Sequence, residues 1–340
     1  MASPRALPDA YAQALARVGS ASLTTLQALE AAERRLHPPE LPRIRSQLAP
    51  LRARLGEGLV DLRAEPVPEG LGEFHEHLCA AAECSADALH AFLDAPPAPR
   101  AVARILDAMR GRCEAQRAFY PLRHALPPLG RYFVEPAFHD RLDALDPEPP
   151  EGVRVGILEA PGAGEGPAAR GGFTLYVPER YDGSRELPLV IALHGGSGRG
   201  TDFLWTWLRE ARGREFLLLA PTSIGPTWSL DAPWRDGTAL ASMIEFLAER
   251  YRVDRSHVLV TGLSDGATFA LLWGLSEGSP ATALAPVSGV LHPANSALGN
   301  LERAAGHPIY LVHGALDWMF PVSVARMAQD ELERAGAELR

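Results

Sequence analysis

Lysine is absent from this 340-residue chain: every one of its 33 basic residues is arginine. With abundant alanine, glycine and proline, that bias has the look of a GC-rich coding background and carries little physical meaning. Positive charge is also in short supply overall, since 42 acidic side chains outnumber the arginines and leave a net charge of −9. Such a balance disfavours nonspecific binding to nucleic acid or to anionic membrane, both of which need cationic surface. Long apolar runs are missing too. No stretch approaches the roughly 18 residues of a membrane span, and "MASPRALPDAYAQALARVG" has no continuous apolar core of the kind a signal peptide carries. The three cysteines, Cys79, Cys84 and Cys113, are an odd number and match no zinc pattern, so they read as buried free thiols in a reducing cytoplasm. No metal site is expected.

Tryptophan is missing from the first 150 residues, and strand-like runs are few there. Apolar residues recur at helical spacing instead. Leu41, Ile44, Leu48, Leu51 and Leu55 step by three and four, as do Val102, Ile105, Leu106 and Met109. Tyr11, Leu15 and Val18 begin one further stripe, and Phe74 and Leu78 another. Pro39, Pro50, Pro96, Pro97 and Pro99 punctuate these segments or sit at their starts. The expectation is a small helical domain over residues 1–145. "DALDPEPPEG", acidic and proline-rich, then reads as a linker centred on 146–152.

From 153 to 340 the texture is different. "VRVGILEA" and "GFTLYVP" read as a hairpin with a long Gly/Ala/Pro connection. Thereafter apolar runs ("LPLVIAL", "FLLLAP", "HVLVTGL", "TALAPVSGV", "PIYLVHG") alternate with helical patterns near 202–212 and 237–251 and after Ser264. Continuous runs of five to seven apolar residues suit strands buried on both faces, hence an α/β fold with a mostly parallel sheet. All six tryptophans fall in this part, and five lie beyond strand C-terminal ends or in the segments that follow, where open sheets place their sites.

Within "VLVTGLSDGATFALLWG", Gly262-Leu263-Ser264-Asp265-Gly266 joins a β-branched run to an Ala/Leu-rich helical pattern. Alone, Gly-x-Ser-x-Gly is a turn motif that a chain with 31 glycines could carry by accident. Between a strand and a helix it is a nucleophile elbow: a tight, strained turn that exposes the Ser264 hydroxyl and aims a helix N-terminus at charge developing beside it. Upstream, "LVIALHGGSGRG" ends a strand with a loop free of side-chain bulk. Its Gly196 N–H, with that of Asp265, would form a two-donor oxyanion hole, each donor worth roughly 3–4 kcal/mol in the transition state. A plain flexible turn is the competing reading; a phosphate loop is disfavoured because no Gly-Lys-Ser/Thr follows. His194 reads as a structural histidine at the strand end. In "PIYLVHGALDWMFP", Asp317 follows a strand that ends at His313-Gly314 and could orient an imidazole; an ordinary loop aspartate or helix cap is the alternative.

Together "LYVPERYDGSRELPLVIALHGGSG", "VLVTGLSDGATFAL" and "IYLVHGALDWMFPV" resemble the α/β-hydrolase superfamily, and within it the phospholipase/carboxylesterase group of bacterial serine esterases. The resemblance covers roughly 153–340 and leaves the helical part without a counterpart. It implies a cofactor-free hydrolase of small-molecule carboxylic esters or thioesters that forms an acyl-enzyme on Ser264. Trp205, Trp207, Trp228, Trp234 and Trp318 are candidates for the acyl-pocket wall, with core packing as the alternative for each. The triad of this fold runs Ser, acid, His along the chain. Asp317 lies 53 positions after Ser264, yet none of the 23 residues that follow it is histidine. Three explanations stand: a fragment whose continuation carries the histidine and the missing last strand of the sheet; a noncatalytic relative that keeps the pocket for binding; or a histidine lent by the helical part (His75, His77 or His139). A peptidase on the same fold is a nearer alternative. Oligomeric state is not legible.

Overall fold

The computed structural model describes residues 7–96, 101–148, 152–162 and 170–340, with backbone alone for 101–103. The first six residues, Pro97, Pro99, the Val102 side chain, linker residues 149–151 and residues 163–169 of the loop between the first two strands lie outside the described residues. The chain divides into two compact units, Met1–Phe133 and Val134–Arg340.

In the first unit, α1 (Asp9–Glu33), α2 (Leu41–Ala64), α3 (Gly72–Leu93) and α4 (Ala101–Phe119) are followed by the short α5 (Pro127–Tyr132). The stripe from Leu41 to Leu55 is buried, as are Tyr11, Val18, Leu78 and Ile105. Leu106 is not; it sits beside the stripe, 41% exposed. Backbones approach closely where a side chain is absent. A Cβ on Gly58 would lie 3.2 Å from Val18 Cα, and one on Gly111 3.2 Å from Ala88 Cα. Pro50 does not end a helix as its sequence position suggests. α2 runs through it, because burial of Leu48, Leu51 and Leu55 on the same face outweighs one lost backbone hydrogen bond. Arg112 on α4 grips Glu33 on α1 through Nε and Nη2, both at 2.8 Å, with both side chains about nine-tenths buried. Burial pushes the Glu33 carboxyl up despite the guanidinium beside it. Cys79 and Cys113 are buried free thiols, while Cys84 is half-buried.

The division falls at 133/134, earlier than 145. The segment that reads as the tail of a helical domain and a linker packs within the second unit. There, α6 (Leu142–Leu145) leads to Asp146, which pairs at 2.7 Å with the fully buried Arg212, and Phe138 covers Gly213.

The second unit is built on β1 (Gly156–Ala160), β2 (Phe173–Val177), β3 (Leu187–Leu193), α7 (Gly200–Arg214), β4 (Leu217–Pro221), α8 (Trp234–Ala248), β5 (Val253–Leu263), α9 (Asp265–Gly274), β6 (Ala283–Val287), α10 (Ala294–Ala297), β7 (Pro308–Ile309), α11 (Val322–Arg334) and β8 (Glu338–Leu339). The strands form one sheet in the order β1-β2-β4-β3-β5-β6-β7-β8. β1 and β2 make the expected hairpin, β2 is antiparallel to β4, and every pairing from β4 to β8 is parallel. A mostly parallel α/β sheet is thus present, and one expectation is corrected. The strand thought missing exists as the short β8, held by parallel pairing to β7 and by the Leu311 N–H donating to Arg340 O. β3, β4 and the second half of β5 are buried almost throughout, as their unbroken apolar runs require. On its β6 side "PIYLVHG" pairs at Ile309 and at an isolated bridge from Val312 to Val287, so β7 is shorter than its apolar run.

Candidate active site

β5 ends at Leu263 and α9 begins at Asp265, which leaves Ser264 alone to make the turn, with φ 55° and ψ −116°. A non-glycine residue reaches that backbone region only against steric cost, and it persists here because both sides are pinned. The Ser264 N–H donates to Val287 O at 2.9 Å, and the Ser264 carbonyl accepts the Thr268 N–H at 2.9 Å. The flanking glycines have a spatial reason. A Cβ on Gly262 would stand 2.5 Å from Gly266, and one on Gly266 would collide with the Leu193 and His194 carbonyls. Ser264 is half-buried, and its hydroxyl makes no hydrogen bond to any described residue.

The loop after β3 passes alongside. A Cβ on Gly195 would contact Ser264 Cβ at 3.7 Å, and one on Gly196 would meet Asp265 Oδ2 at 2.7 Å. Among the described residues the Gly196 N–H finds no acceptor, and the Asp265 N–H belongs to the first turn of α9, where helices leave donors unpaired. Ser264, Asp265 and Gly196 therefore occupy one spot at the C-terminal edge of the sheet. Strain gathers there as well. Of the four non-glycine residues with positive φ among those described, Ser197, Ser264 and Ser288 follow β3, β5 and β6 in turn.

His194 is a structural residue in this geometry, as its position at the strand end suggests. It is 1% exposed. Nδ1 donates to Gly195 O at 2.7 Å and Nε2 accepts the Ser223 N–H at 3.1 Å. One nitrogen donates and the other accepts, so only the neutral ring fits; burial pulls its pKa down to about 4.

Asp317 lies in the loop that follows the Val312 bridge, two strands from β5. Its Oδ1 accepts the Met319 and Phe320 N–H groups, both at 2.9 Å, which closes the turn. Oδ2 stands 3.6 Å from His313 Nε2, which itself meets Phe320 O at 2.8 Å. The carboxylate thus faces an imidazole, although one turned to the backbone of its own loop rather than bonded to Ser264. His75 and His77 lie in the helical unit; His139 hydrogen-bonds to Val134 O.

The tryptophans divide. Trp228 is a core residue: 2% exposed, stacked on Phe269 at 5.3 Å, its indole N–H donating to His194 O at 2.8 Å. Trp205 is buried on α7. Neither presents an open wall. Trp318 is 42% exposed beside Asp317, and Trp234 is 67% exposed. Sequence reasoning missed the loop between β4 and α8. It brings Thr227 Oγ1 to Asp265 Oδ2 at 2.6 Å, and only the polar "PTSIGPTW" run after a strand end hinted at it.

Among the described residues no helix is long and apolar enough to cross a membrane, and no cluster of three or more His, Cys, Asp or Glu could hold a metal ion. No curated protein matches the chain. Several solved structures are similar to parts of it. A thermostable esterase shares 22% identity, with 50% of this chain and 49% of that one covered and a TM-score of 0.42. An acetyl xylan esterase from Aspergillus awamori shares 21%, with 39% and 52% covered and a TM-score of 0.34. A fluorophosphonate-binding serine hydrolase of Staphylococcus aureus shares 16%, with 50% and 83% covered and a TM-score of 0.40. The chain spans about half the length of the first two. Residues 238–339, from α8 through the elbow to β8, match the family model described as Phospholipase/Carboxylesterase. The match to the phospholipase/carboxylesterase pattern thus lies within the α/β unit and takes in Ser264 and Asp317.

Proposed function

We propose that the α/β unit is a serine hydrolase acting on small-molecule carboxylic esters or thioesters through an acyl-enzyme on Ser264. The observation that carries this reading is the strained Ser264 hydroxyl, unbonded and seated beside the acceptor-free Gly196 N–H. Ser264 Oγ attacks the acyl carbon while its proton passes to an imidazole. The carbonyl oxygen, gaining negative charge, is held by the N–H groups of Gly196 and Asp265 at the positive end of α9. The tetrahedral adduct collapses, the alcohol or thiol leaves with that proton, and water then releases the acid by the same steps. Asp317 orients the imidazole and stabilises it when protonated. Trp318, exposed beside Asp317, lines the approach of the acyl group.

Support for a second reading comes from the same hydroxyl. No described histidine bonds to Ser264, and a site with a nucleophile and oxyanion donors but no base is also the make-up of a noncatalytic binding domain. Loss of the base costs roughly a millionfold in turnover and leaves the oxyanion donors at work. The two readings separate in a hydrolysis assay of p-nitrophenyl acetate and an acetyl thioester run with and without imidazole. A serine hydrolase shows Ser264-dependent turnover, either unaided or raised by imidazole. A binding domain shows none in either condition, and that result overturns the proposal.

A further inference from the structure

Asp236 is a buried carboxylate that the chemistry above does not use. It sits in the first turn of α8 and is 2% exposed. Its oxygens divide between two backbone donors. Oδ1 accepts the Ile224 N–H at 2.9 Å and Oδ2 the Ser229 N–H at 2.8 Å. These are the two ends of the six-residue loop "IGPTWS", so one side chain closes the loop across its mouth.

That loop in turn holds the segment beside Ser264. Pro226 O accepts the Ser197 N–H at 3.0 Å, which fixes the left-handed Ser197 next to Gly196. Thr227 Oγ1 donates to Asp265 Oδ2 at 2.6 Å, turning that carboxylate against Gly196. Trp228 Nε1 donates to His194 O at 2.8 Å. Just before the loop, Ser223 gives its N–H to His194 Nε2, and Arg170 bridges Ser223 Oγ and Gly198 O at 3.1 Å each. The Gly196 N–H is left over while its neighbours on both sides are tied down.

We propose that Asp236 is a positioning residue for the oxyanion donors: by clamping residues 224–229 it fixes, through Pro226 and Thr227, the 194–198 segment against the N-terminus of α9. A carboxylate suits the role because each oxygen accepts one N–H in a dry setting, where charge-assisted bonds are strong. An amide in its place can accept only one of the two and turns a donor toward the other. The proposal rests on the serine-hydrolase reading for its consequence in catalysis, but not for the structural linkage itself.

The test compares the full chain with Asp236→Asn and Thr227→Val, using residue-resolved amide hydrogen exchange and the kinetics of an alkyl fluorophosphonate on Ser264. In Asp236→Asn, exchange at Ile224 and Ser229 rises, and exchange at Ser197 rises with it by tenfold or more, while amides in β5 keep their protection. The maximal labelling rate falls about 10- to 100-fold with little change in the concentration giving half that rate. Thr227→Val, which leaves the clamp intact, lowers the maximal labelling rate about tenfold. Unchanged exchange at Ser197 in an otherwise opened Asp236→Asn loop overturns the proposal. If Asp236→Asn does not fold, a wild-type labelling rate in Thr227→Val overturns it. If the wild-type chain takes no label with or without added imidazole, the serine-hydrolase reading fails, and Ser197 exchange still decides the linkage.

Discussion

The two units handle polar groups and backbone strain in opposite ways. The helical unit has no positive-φ residue among those described apart from Gly70, whereas all four such non-glycine residues lie in the α/β unit. In the helical unit a buried ion pair, Glu33 with Arg112, joins two helices. In the α/β unit, three strained serines and an unpaired Gly196 N–H collect at one edge of a sheet whose interior is conventionally packed. The fourth strained residue, Glu215, is a left-handed helix cap ringed by Arg141, Arg180 and Arg185, a structural use of the same backbone region. Strain by itself does not mark a site, and only at the proposed site does it stand beside unspent donors.

That contrast breaks or sharpens under substitution. The largest effect belongs to Arg112→Ala, which strands the Glu33 carboxylate in the bundle and costs about 4 kcal/mol of stability by denaturant titration. It leaves the rate of labelling at Ser264 unchanged. Next comes acid. Because burial lowers the His194 pKa from 6.5 to about 4, the unfolded chain binds this proton first as pH falls. The stabilising contribution is complete above about pH 6.5 and is lost progressively toward pH 4, by about 3 kcal/mol in all. Ring NMR signals of His194 staying neutral at pH 5 would verify it; a midpoint near 6.5 would refute it. Gly196→Ala places a methyl group against Asp265 Oδ2. It slows acylation by about 100-fold, near 3 kcal/mol, with a loss of stability below 1 kcal/mol. The smallest effect has the opposite sign. Ser264→Gly relaxes the turn and raises stability by about 1 kcal/mol while removing the proposed nucleophile.

Much of this was legible beforehand where a local pattern has a single physical solution. Unbroken runs such as Leu187–Leu193 suit strands buried on both faces, and Gly262 and Gly266 bracket a turn that no bulkier residue fits. What stayed hidden depends on partners distant in sequence. Residues 134–148 read as the end of one domain and a linker because nothing local shows Asp146 reaching Arg212. Trp228 looked like a pocket wall, since a strand-end indole has the same sequence signature whether it faces substrate or finds a carbonyl in the core. Asp236 was no more than a first-turn aspartate until its two oxygens met residues 224 and 229.

The most direct measurement is the intact mass and peptide map of the full chain after exposure to an alkyl fluorophosphonate in the presence of imidazole. One adduct, confined to Ser264 and absent from Ser264→Ala, is the result this account predicts. An unmodified Ser264, or an adduct that persists in Ser264→Ala, would contradict it.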